Sequence, residues 1–154
     1  MASEQGHLDV VELLISEGGD VSGMKKGQKT ALHLAAQRGH ASVVKRLLHE
    51  NADATVLAED DWSPLHCSVI VGSQEVVLPF LAANSDLVKA GSEALHIAAA
   101  QGHGISVEML LQGGANISAT NDKRLTPLHL AAENGAVNIL LHAGADVDAR
   151  DDQW

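Results

Sequence analysis

Nine histidines and twenty carboxylate side chains stand in this 154-residue chain. That is enough imidazole and carboxylate to hold a transition metal or move protons, if a fold gathered them at one point. Their spacing argues against gathering. His33, His66, His96 and His129 lie 33, 30 and 33 residues apart, while His7, His40 and His103 each follow a glycine. No H-E-x-x-H pair occurs, and a lone cysteine, Cys67, cannot supply the paired thiolates of a zinc site. Two acidic groups, Glu59-Asp60-Asp61 and Asp146, Asp148, Asp151, Asp152, offer oxygen ligands. Both lack the sharp-turn glycine and the closing glutamate of a calcium loop, so they read as solvated loop acids. Cys67 has no lysine or arginine beside it in sequence and falls on an apolar helical stripe, which makes it a buried thiol rather than a nucleophile. No glycine-rich phosphate loop or nucleophile elbow appears. The sequence predicts no enzyme, no metal and no cofactor; a metal-dependent enzyme using the histidines is the minor reading.

The elements that position these residues are repeated. Thr30-Ala31-Leu32-His33-Leu34-Ala35-Ala36, closed by Gly39, returns as Thr126-Pro127-Leu128-His129-Leu130-Ala131-Ala132 with Gly135. Weaker copies are Ser63-Pro64-Leu65-His66 with Gly72 and Glu93-Ala94-Leu95-His96 with Gly102. Gly6, Gly39, Gly72, Gly102 and Gly135 are 33, 33, 30 and 33 residues apart, the mark of one supersecondary unit used repeatedly. Thr30, Ser63 and Thr126 suit a helix N-cap, and Pro64 and Pro127 the position after it. Leu32, Ala35 and Ala36 then give a short helix with one apolar stripe, and Gly39 a left-handed stop. Val43, Val44, Leu47 and Leu48 give a second helix. Such a pair cannot bury its stripe alone and must stack on its neighbours.

The T-P-L-H string at this period resembles the ankyrin repeat. The resemblance covers nearly the whole chain and implies an all-α solenoid of helix-turn-helix units with protruding β-turn fingers. It also implies that His33, His66, His96 and His129 bond to loop and cap groups rather than to a metal.

Composition is compatible with this architecture. Aromatics are only 2% of the chain, as suits thin stacked helices packed by small aliphatics. The apolar runs are too short for a membrane span, and no leader sequence is visible at Met1-Ala2-Ser3-Glu4. With the single cysteine, that points to an intracellular setting. The formal charge of −10 argues against nucleic acid. Six of the ten basic residues nevertheless fall in one repeat: Lys25, Lys26, Lys29, Arg38, Lys45 and Arg46.

In order, a single domain over 1–154 divides into a partial repeat at 1–23, then 24–57, 58–90, 91–120 and 121–149, with a further repeat beginning at 150–154. The first repeat lacks its T-P-L-H, so its first helix should be cut short. In the second, helices are predicted near 31–38 and 42–49. Pro79 lies inside the second helix of the third repeat and predicts a kink or an early end. Asp86 to Glu93 is seven steps where Asp53 to Ser63 is ten, and Glu93 is a poor N-cap. The finger there should be blunted, leaving a notch. Gly135 reaches Leu140-Leu141 in five steps where Gly39 reaches Leu47-Leu48 in eight, so the last second helix is a turn short or residues are missing.

The ankyrin resemblance implies a non-catalytic protein-binding module within a larger scaffold or regulatory protein, monomeric by default. An autoinhibitory segment whose partner lies in the same polypeptide is the alternative. Contacts in the family come from finger tips and the exposed ends of first helices. Carried over position by position, these are Lys25, Lys26, Lys29 and Arg38, then Asp60, Trp62, Ile70 and Val71. The remaining positions are Ala100 and Gln101, then Lys123, Leu125, Glu133 and Asn134. Trp62, Ile70, Val71 and Leu125 are apolar where polar residues are normally tolerated. With the lysines beside them, they predict a partner carrying an acidic segment next to an apolar anchor.

Overall fold

The computed structural model describes residues 1–24, 27–83, 88–131 and 136–150, with side chains of 88–90 left aside. These form α1 (Ala2–Gln5), α2 (Leu8–Ser16), α3 (Ala31–Gln37), α4 (Ala41–His49) and α5 (Pro64–Val71). Then follow α6 (Gln74–Ala83), α7 (Val88–Gln101), α8 (Gly104–Gln112), α9 (Pro127–Ala131) and α10 (Val137–His142). Among the described residues, extended pairing is confined to one bridge, Met24 to Thr30, at the base of a finger. None of the described helices is long and apolar enough to cross a membrane.

The helices form two layers. The first helices α1, α3, α5, α7 and α9 pack in series, and the second helices α2, α4, α6, α8 and α10 do the same behind them. Each layer is held by what its stripe can bury. Leu32, Ala35 and Ala36 of α3 are buried against Leu65 and Val69 of α5, and these against Ala94, Leu95, Ala98 and Ala99 of α7. Alanine at these places lets helix axes approach closely, and the leucines fill the ledge between repeats. Behind them, Val43, Val44 and Leu47 meet Val76, Val77 and Phe80, which meet Val107 and Leu110.

Helix boundaries follow the caps. Thr30 and Ser63 each accept the backbone N–H of the residue three on, and the His33 and His66 rings reach back to the cap's own N–H. This is a capping box with histidine in the place usual for glutamate. The helix-ending glycines Gly6, Gly39, Gly72 and Gly102 all have φ near +70°, between 67° and 78°. As expected, α1 is a single turn of four residues. The last second helix, α10, has six residues against nine in α4, one turn fewer.

Of the two outcomes expected at Pro79, a kink or an early end, the early end does not occur: α6 continues to Ala83. The proline removes only the bond to the carbonyl of Glu75, an exposed position where water can take its place. The finger expected to be blunted before Glu93 falls partly on 84–87, outside the described residues. With no capping side chain at Glu93 to fix a helix start there, α7 is already helical from Val88, and the described residues before Glu93 form no finger turn.

Candidate partner-binding face

The histidines of the T-P-L-H strings tie each first helix to the next finger. In His33, Nδ1 accepts from the Thr30 N–H at 3.2 Å, so the ring hydrogen sits on Nε2, which donates to the Trp62 carbonyl at 3.0 Å. His96 places its Nε2 3.0 Å from the Leu125 carbonyl, again 29 residues ahead. Its Nδ1 lies 2.8 Å from the Ser92 carbonyl, because α7 has no cap to offer at that position. The Nε2 of His66 faces the Glu93 carboxylate at 3.5 Å.

A second set of histidines was not assigned a role from sequence. His40 Nε2 donates to the Glu4 carbonyl and His103 Nε2 to the Ile70 carbonyl, each at 3.0 Å, and each ring lies flat against the glycine that ends the previous first helix. The pairing Gly72/His103 recurs as Gly6/His40, and that recurrence could have revealed it. Finger entry has its own device: Asp20, Asp53, Asn116 and Asp146 each accept the N–H two residues on, at 2.8–3.0 Å. The Thr55 hydroxyl and then its N–H hold the Asp53 carboxyl below its usual range.

Burial pushes the His33 pKa below 6.5, reinforced by Lys29 and opposed by the Trp62 carbonyl and Asp60. Since the folded value lies below the unfolded one, His33 contributes its full stability above pH 6.5 and loses it as pH falls through the folded value. The wild type should therefore lose melting temperature on acidification below pH 6.5, and His33→Gln, which preserves the cap bond, should lose less. Equal slopes in the two proteins would overturn this. Burial also pushes the Cys67 thiol up to about 11, the opposite of what a nucleophile needs. Among the described residues, no three His, Cys, Asp or Glu side chains stand close enough to hold a metal ion.

Of the residues expected on the binding face, Lys29, Asp60, Trp62 and Ile70 are brought together around a cleft of about 140 Å³. Lys29 and Asp60 pair with each other at 3.5 Å, so neither is wholly available to a partner. Trp62 is half-buried, its ring edge-on to His66 with centroids 6.3 Å apart. Ile70 and Val71, at the end of α5, are 42% and 37% exposed and give the patch its apolar surface. Arg38 projects from the end of α3 but turns back to Glu4, 3.4 Å away, rather than toward Trp62. Ala100, Gln101 and Lys123 are exposed. Leu125, expected to be exposed, is half-buried and holds its finger by donating its N–H to Asn121 Oδ1. Lys25, Lys26, Glu133 and Asn134 lie outside the described residues.

Two comparisons with known proteins bear on this architecture. Over 67 residues, 41% of its length, the chain is 42% identical to a fowlpox virus protein described as a putative ankyrin repeat protein. Over 99% of its length it is 30% identical to the transient receptor potential cation channel subfamily A member 1 homolog of Caenorhabditis elegans. It spans 20% of the first protein and 10% of the second. Residues 1–90 and 80–151 match the family model described as "Ankyrin repeats (3 copies)". Stacked helix pairs, histidine-to-finger bonds and this match together make the chain a member of the ankyrin-repeat family.

Proposed function

We infer that this chain is a non-catalytic binding module, which receives a partner protein on the face made by its finger tips and the exposed ends of α3, α5 and α7. The observation that carries the reading is the half-buried indole of Trp62 beside the exposed Ile70 and Val71. Apolar side chains left together on a surface lose water favourably only when something covers them. His33, His40, His96 and His103 are taken up in bonds to backbone carbonyls of neighbouring repeats.

A photoreactive group at Ile70 should cross-link a protein from a native extract, while the same group at exposed Glu75 on the opposite layer should not. Trp62→Ala should weaken binding of that protein by about 2 kcal/mol or more, as expected for a central tryptophan, with helical content unchanged. Equal capture from both positions, or full affinity in Trp62→Ala, would defeat the assignment.

A further inference from the structure

Fingers project at 58–62 and at 119–125, but between them α7 runs as helix from Val88. A cleft of about 460 Å³ lies between the two fingers. Asp61 and Trp62 wall one side, Asp122 the other, and Glu93, His96 and Ile97 form the floor.

The lining has a definite chemistry. Asp61, Glu93 and Asp122 are exposed carboxylates, and among the described residues neither lysine nor arginine lines the cleft. Asp60, also on the wall, is offset by Lys29. Glu93 stands 3.5 Å from the His66 ring. The acids and imidazoles do not converge as ligands of a metal ion would. They are instead spread around a space with an indole on one side and the apolar Ile97 on the floor. Carboxylates alone would attract any cation. A carboxylate rim around an aromatic ring favours a cation that is flat, weakly hydrated and carried on an apolar stem.

The geometry points to this gap as a pocket for an arginine side chain of a partner protein, its guanidinium on Trp62 and its N–H groups toward Glu93 and Asp122. This rests on the reading that the finger face binds a partner. It adds that the partner segment is basic at this point, while Lys29 and Arg38 stand in the repeat before it.

The probe is the blocked peptide acetyl-Gly-Ser-Arg-Ser-Gly-amide, with its lysine and citrulline counterparts, titrated into the isotope-labelled chain and followed by nuclear magnetic resonance. The arginine peptide should shift the Trp62 indole N–H and the Ile97 and Ala119 amides saturably. The lysine peptide should bind more weakly and citrulline not at all. Trp62→Leu should weaken arginine binding about fivefold, the size of an exposed cation–π contact. Glu93→Gln with Asp122→Asn should weaken it about three- to tenfold, as expected for two exposed ion pairs. Asp9→Asn with Glu12→Gln on α2 should leave it unchanged. Equal binding of arginine and lysine peptides, or shifts spread over the acidic surface and unaltered by the Glu93/Asp122 variant, would overturn the pocket. If the peptide fails while Ile70 still cross-links a partner, the pocket alone falls. Loss of cross-linking instead removes the interaction face.

Discussion

Replacing Phe80 by alanine is expected to destabilise the protein by about 3–5 kcal/mol, the range for deleting a buried ring. Phe80 is the sole phenylalanine in the chain and is fully buried on α6, which packs against both α4 and α8. Its neighbours, Val76 and Val77 beside it and Leu47 and Leu110 across it, are too short to close the space. Because each repeat rests only on adjacent repeats, the loss should separate the stack into two less cooperative halves. Urea titration followed by circular dichroism would show a lower midpoint with a broader or two-step transition. Phe80→Leu, which nearly conserves volume, should cost less than about 1.5 kcal/mol. A change below 1 kcal/mol in Phe80→Ala would mean the second-helix layer collapses onto the gap, against the close packing described here.

The second large effect is expected at Gly72, where valine should cost about 1.5–3.5 kcal/mol, combining left-handed strain with a lost hydrogen bond. Gly72 ends α5 at φ 67°, and a Cβ there would stand 2.7 Å from Nδ1 of His103. The ring cannot retreat without releasing the Ile70 carbonyl. Gly114 provides the contrast, with φ 90° and nothing within 4 Å of its would-be Cβ. Gly114→Val should therefore bear the strain alone. In the background of His103→Ala, Gly72→Val should cost less than in the wild type, a coupling that thermal melts of the four proteins would measure. Additive costs would show that the ring yields freely and that the glycine answers only to its backbone angle.

Much of this fold was legible because its causes are local. A hydroxyl before Leu-His, a proline after it and a glycine nine residues from the cap each act within one turn of the chain. Their recurrence gave the helix pairs, the brief α1 and the six-residue α10. The helical course of α7 ahead of Glu93 was only half legible. A missing cap says that a helix need not start there, but not that it starts five residues earlier at Val88. Pro79 misled in the other direction, since a proline whose lost partner is solvated costs too little to end a helix held by Val76, Val77 and Phe80.

The binding face was less legible, because its pairings join residues whose spacing carries no period. Arg38 to Glu4 and Lys29 to Asp60 are set by which rotamers meet across adjacent repeats. Leu125 shows the same limit. Its side chain reads as a surface anchor, whereas its N–H and carbonyl both hold the finger.

The run of imidazole-to-finger contacts also has a mechanical side. A carbonyl cannot move unless its backbone moves, so the links His33 to Trp62 and His96 to Leu125 are short struts that fix the pitch between successive repeats. His66 faces the carboxylate of Glu93 at 3.5 Å, carried on a side chain with three rotatable bonds. The two struts hold the fingers at 58–62 and 119–125 at set heights beside α3 and α7, so a partner seated on those tips meets a spacing fixed from within the stack.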